Sequence, residues 1–274
     1  MTLATLLAPF ALAACAAGLQ APDAALPPDS GTAAEPVAAP APAPEELYRQ
    51  GIAAAETGEL DTALDLLERA TAAAPDTLRY GAEYRQAAIR AEAYDRSIDF
   101  FEALATEHPG SPTIELQWGY AYVDKIPAAG AVTAVILANT ALGHFTRAID
   151  LDETWLALYT RGNSYVYWPP IFGRTELGIA DLEKAVAMAE RPEAGEPRSY
   201  HAHAYAALGD AWWRLDDLEK ARQVWRRGLE RIPGSTDLEE RLALEGEALD
   251  EYLDAHYAIG NRVDTSLREL WEEE

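Results

Sequence analysis

The sequence predicts an all-α solenoid of about five helix pairs, closed by a C-terminal capping helix. Three observations carry that reading. Small and large apolar residues recur in one register, beginning with Leu47, Gly51, Ala54, Ala63, Leu67, Ala70 and Pro75; thirty-four residues on, Ser97, Phe101 and Pro109 answer Ala63, Leu67 and Pro75. The register returns near the end as Tyr205, Gly209, Trp212, Ala221, Trp225, Gly228 and Pro233. After Pro233, Leu238, Leu242, Leu249, Leu253 and Tyr257 keep helical spacing, as expected of an element that covers the open end of a stack.

Taken in order, residues 1–15, MTLATLLAPFALAAC, form a short apolar run ending in small residues. Such a run is too short to span a bilayer and reads as a secretory signal. Leu12-Ala13-Ala14-Cys15 resembles the bacterial lipobox, which implies lipidation at Cys15 and anchoring by several acyl chains. Ala16, in place of the Asp that retains lipoproteins in the inner membrane, implies the outer membrane, facing the periplasm. The leader departs from the pattern in one respect: no Lys or Arg precedes Arg49. Residues 16–44 are Ala- and Pro-rich without aromatics, which predicts a disordered tether with a reach of roughly 30 Å.

Residues 45–274 hold the helical domain. Small residues on facing helices allow close approach, larger apolar residues fill the space between them, and a proline ends each second helix. Gly58 marks the turn inside the first pair. The pattern is that of the tetratricopeptide repeat, and most of 45–235 is identified as similar to that family. Unit two carries Arg85 where a small residue belongs. Unit three begins with Gly119 and Tyr122 and resumes with Ala141, Phe145 and Ala148, so about ten residues are inserted relative to the Gly51–Ala63 spacing. Unit four begins with Leu158, Gly162 and Tyr165 and resumes with Gly178, Leu182 and Ala185, an insertion of about four. Insertions in a solenoid fall on one edge and are often functional. The first produces the charge-free run Ile126–Thr146, whose Pro127, Gly130, Asn139, Gly143 and His144 speak against a membrane span. One long helix over Ala131–Asp150, apolar nearly all round, is expected to be buried in the stack or in an oligomer contact. Gly260-Asn261 should stop the cap, and Val263, Leu267, Leu270 and Trp271 form a terminal segment able to dock back.

Composition narrows the function. With 22 basic and 46 acidic residues the formal charge is −24, which disfavours nucleic acid and electrostatic adhesion to anionic lipid. The single cysteine excludes an intramolecular disulfide and Cys-based zinc sites. His201 and His203 stand two apart, so on a helix they point to different faces and make a poor metal pair. No phosphate-cradling glycine loop or G-x-S-x-G elbow is present. Neither a cofactor nor an enzymatic activity is therefore expected.

In the tetratricopeptide family the inward positions of each first helix line a concave groove. Carried onto this register they are Gln86 and Arg90 in unit two, Tyr120 and Asp124 in unit three, Tyr159, Asn163 and Tyr167 in unit four, and Asp210, Trp213 and Arg214 in unit five. Trp168 and Phe172, from the loop after unit four's first helix, join them at the edge. Aromatic area with a few directional polar groups suits a binding groove. The competing reading is that the C-terminal helix or an insertion fills it. The chaperone-gripping carboxylate clamp is not carried over, because Tyr48 and Ile52 replace its Lys and Asn. The lipobox and irregular repeats loosely resemble the lipoproteins associated with TRAP-type solute transporters, which implies a small apolar or organic ligand and self-association. The expected partner is a protein, a peptide or such a ligand. The alternatives are an outer-membrane assembly scaffold, or an enzyme or enzyme accessory with residues 168–172 as a lid.

Overall fold

A computed structural model of the chain describes residues 42–258 and 263–272. The lipobox-like segment with Cys15, the expected tether up to residue 41 and Gly260-Asn261 lie outside the described residues.

The first helix, α1 (Pro44–Thr57), starts on a proline whose missing N–H is harmless in a first turn, and ends on Gly58 in the left-handed region at φ 84°. It pairs with α2 (Leu60–Ala73). Four more pairs follow: α3 (Leu78–Arg90) with α4 (Tyr94–Glu107), α5 (Pro112–Lys125) with α6 (Ala131–Leu151), α7 (Trp155–Val166) with α8 (Thr175–Ala189), and α9 (Ala202–Arg214) with α10 (Leu218–Arg231). Among the described residues there is no strand. The register explains the pairing. A Cβ at Gly119 would stand 2.4 Å from the Phe145 ring, and one at Gly209 2.1 Å from the Trp225 indole. The large residue of each second helix (Leu67, Phe101, Phe145, Leu182 and Trp225) is at most 1% exposed. Each such side chain contributes roughly 1.5–3 kcal/mol by leaving water.

The long helix is present as α6, but the stack buries only part of it. Leu137, Ala141, Leu142, Phe145 and Ala148 are buried, whereas Val132, Val135 and Ile136 are 78%, 50% and 60% exposed. The reason is length. Helices α2, α4 and α10 have 14 residues and α6 has 21, so its first turns outrun α5, its 14-residue partner. Among the described residues no helix is long and apolar enough to cross a membrane.

The cap is two helices rather than one. α11 (Thr236–Ala243) and α12 (Glu247–His256) are separated at Gly246, whose φ of 52° with ψ −134° cannot continue a helix. Leu238, Leu249 and Leu253 are buried in the same cluster as Trp225 and Tyr205. The described residues end in an irregular stretch, 263–267, and a single turn, α13 (Glu269–Glu272).

Candidate functional site

The terminal segment docks across the concave face as a strap. Its anchor is Arg85, the residue that breaks the small-residue pattern. Arg85 is fully buried, donating from Nε to Gln117 (2.6 Å), from Nη1 to Asp124 (2.7 Å) and from Nη2 to the carbonyl of Thr265 (2.7 Å). The Thr265 hydroxyl donates in turn to Asp124. Three residues on, Arg268 grips the buried Glu83 with two hydrogen bonds of 2.7 and 2.8 Å. Glu269 accepts from His203 Nε2 at 2.8 Å, while Asp237 lies 3.5 Å from Nδ1 of the same ring. Burial works against a charge on His203, but Asp237 and Glu269 outweigh it and hold the imidazolium up to about 9. The strap thus touches α3, α5 and α9 in one pass.

Behind the strap the groove is not filled. A chamber of about 1420 Å³ remains, walled by the concave helices, the first turns of α6, the loop after α7 and the strap itself. Ten of the twelve residues predicted for the groove line it: Gln86, Arg90, Tyr120, Asp124, Tyr159, Asn163, Tyr167, Trp168, Phe172 and Asp210. Trp213 and Arg214 do not. They turn to the cap, where Trp213 donates to Asp250 at 2.9 Å and Arg214 covers the Tyr257 ring at 4.5 Å.

The walls differ in character. Val123, Ile126, Ala134, Val135, Ala138 and Phe145 make one side apolar. Trp168, 8% exposed, lies under the Arg174 guanidinium at 3.7 Å and meets Phe172 edge-on at 5.6 Å. Arg174 also donates to Asn139 of α6 at 2.8 Å, so one side chain joins the two insertions. Tyr159 and Asn163 of α7, with Tyr167 just past its last residue, form a stripe at intervals of four that also lines the chamber. Burial pushes the phenols up, Tyr120 and Tyr167 to about 12 and Tyr159 well above its ordinary value. Tyr120 shares a hydrogen bond of 2.6 Å with Thr160.

At the floor Asp210, fully buried, accepts two hydrogen bonds of 2.8 Å from Arg241, one of 2.8 Å from Tyr257 and one of 3.2 Å from the Trp225 indole. Burial opposes the Arg241 charge, yet Asp210 more than compensates and raises its pKa. This residue of the predicted groove therefore also fastens the cap. No group of three or more residues able to hold a metal occurs among the described residues.

Solved structures share this architecture. A thermophilic TPR protein of Thermus thermophilus is 21% identical, with a TM-score of 0.52 over 73% of this chain and 97% of its own. The chain has the tetratricopeptide-repeat fold. A tetratricopeptide repeat protein of Parabacteroides merdae, 15% identical, gives a TM-score of 0.50 over 79% of this chain and 77% of its own. No family model and no curated protein matches the sequence.

Set against this tetratricopeptide-repeat register, a third interruption emerges that the motif reading missed. Ala185 and Gly209 stand twenty-four apart where Ala70 and Arg85 stand fifteen, so about nine residues are inserted between α8 and α9. That spacing was the available signal. The inserted segment helps wall a second hollow of about 350 Å³, bordered by Trp155, Met188, Tyr200 and His201. Trp155 stacks on Tyr159 at 5.2 Å, placing one ring pair between the two spaces. The strap residues Thr265, Arg268 and Glu269, with their partners Glu83, Arg85 and His203, were also missed as a set. Only the anomalous Arg85 and the apolar tail hinted at them.

Proposed function

We propose that this tetratricopeptide-repeat protein is a non-enzymatic binding module that holds a small organic ligand in the roofed chamber. The chamber itself carries the reading. At about 1420 Å³ it is larger than the roughly 300–1,000 Å³ of common small-ligand sites, so it has room for an organic molecule, and it combines apolar lining with a short stripe of polar groups. The strap already lies where a repeat of this kind would receive a peptide, so the space left favours a small molecule over a chain. Asp210, Asp237 and His203 are engaged in fastening the cap and the strap, which favours binding over turnover.

The lipobox-like Leu12–Cys15 supports a lipid-anchored place in a bacterial envelope, at the outer membrane and facing the periplasm. The loose likeness to TRAP-associated lipoproteins supports service to a solute transporter. Titrating a small-molecule library against the full chain tests the binding reading. Saturable binding should weaken about tenfold in Asn163→Ala and in Tyr167→Ala, the size of one lost hydrogen bond. Turnover abolished by one carboxylate or histidine change, with binding intact, would refute it. For the anchor, palmitate should label the wild type and not Cys15→Ser; label on both, or on neither, removes that part of the proposal.

A further inference from the structure

The chemistry of the chamber's walls goes further than its size, and points to the charge of what enters. Nearly every ionisable group that faces the space from its inner walls already has an opposite charge. Asp210 is held by Arg241, Asp124 by Arg85, and Asp237 and Glu269 share His203. Arg268 is held by Glu83. The remaining charged side chains, Arg90, Asp264 and Glu272, are exposed, Arg90 donating also to the Ala55 carbonyl at 3.2 Å, and His256 is held toward its neutral form by burial and by Arg241. The one cluster of polar groups left open is neutral. Among the described residues no hydrogen-bond partner is offered to the Asn163 amide, the Tyr159 hydroxyl or the Tyr167 hydroxyl; Tyr159 and Asn163 lie one turn apart on α7, and Tyr167 follows at the same interval just past its end. Val123, Ala134, Ala138 and Phe145 line the same chamber.

Resting on the binding reading above, we infer that the chamber takes an uncharged molecule: an apolar body with a neutral hydrogen-bonding head such as an amide, a hydroxyl or a ketone. The head meets Asn163 and its two tyrosine neighbours, which together offer donors and acceptors without a net charge. The body lies against the α6 wall. A carboxylate or ammonium head enters a space where its counter-charge is already paired. It must either stay unpaired in a low-dielectric site or break an ion pair that holds the strap or the cap. That is an energetic reason for exclusion, and it is independent of shape.

The test is a matched series, with the full chain as receptor and the neutral fluorophore N-phenyl-1-naphthylamine as reporter. Decanamide, 1-decanol, decanoate and decylammonium share one body and differ in the head. The expected result is displacement by decanamide and decanol at concentrations at least tenfold below those needed for the two ions. Asn163→Leu, which keeps the side chain's size and removes its amide, should weaken decanamide about tenfold once displacement is corrected for the fluorophore's affinity measured in that variant. Decanoate binding as tightly as decanamide, with the advantage lost in Arg90→Gln, would place a carboxylate at that arginine and overturn the inference while leaving the chamber as a binding site. Unchanged decanamide affinity in Asn163→Leu also overturns it. If neither the fluorophore nor any member of the series binds, the binding reading falls, and this one with it.

Discussion

Replacing Arg241 by Met tests the floor of the chamber and the attachment of the cap together. Asp210 is 0% exposed and accepts four hydrogen bonds, two of them from Arg241. The substitution keeps much of the stem's apolar contact but removes the counter-charge and half of those bonds. Tyr257 and Trp225 remain as neutral donors to a buried anion. Breaking a buried ion pair from one side costs about 3–5 kcal/mol. With a urea slope of roughly 3 kcal/mol per molar for a domain of this size, the midpoint should fall by about 1–1.5 M. Circular dichroism and tryptophan fluorescence, followed together in urea at pH 7, give that midpoint and show whether the transition stays cooperative. The double variant Asp210→Asn/Arg241→Met should lose less than the sum of the two singles, because no unpaired charge is left. A loss under about 1 kcal/mol in Arg241→Met, or strict additivity in the double, refutes the account of the pair as the cap's fastening.

Other perturbations separate packing from docking. Gly119→Ala drives a methyl to 2.4 Å from Phe145 and should cost about 1–3 kcal/mol by thermal melting, while Gly143→Ala, with nothing within 4 Å, should be neutral or stabilising by up to about 1 kcal/mol. Tryptic cleavage after Arg268, normalised to cleavage after the exposed Arg49, reports how firmly the strap is seated; Glu83→Gln should raise that ratio about tenfold. The pH dependence of the strap follows from His203. Its folded-state value is raised from 6.5 to about 9, so its contribution is complete below about 6.5 and fades as pH climbs through 9. The cleavage ratio should therefore rise between pH 7.5 and 9.5 in the wild type and stay flat in His203→Gln; equal slopes would contradict that assignment.

How far the sequence could be read depended on whether a residue's role was local. Gly51 with Leu67 and Gly209 with Trp225 are short-range pairs fixed by one helical hairpin, so a 34-residue register exposes them. The inward stripe Tyr159-Asn163-Tyr167 is equally local and faces the chamber. Trp213 and Arg214 were misplaced because their surroundings depend on α12 and Tyr257, and nothing in their own repeat announces how the cap returns. Arg85 looked like an error of the pattern, since its partners Asp124 and Thr265 lie 39 and 180 positions away. The sequence also leaves open, for a related reason, whether the start of α6 is covered by the stack or by an oligomer contact. Apolar character all round a helix implies a neighbour, but it does not say that the neighbour belongs to the same fold.

In an ordinary repeat array each unit touches only the next, so the stack can fray or flex one unit at a time, like an untied spring. Here Arg268 reaches Glu83 across 185 positions, and the strap runs like the string of a bow from the second unit to the fifth. The second and fifth units are therefore tied to each other through Thr265, Arg268 and Glu269. Residues 265–269 thus form a second, non-sequential link between α3 and α9, beside the one that runs through the intervening helices.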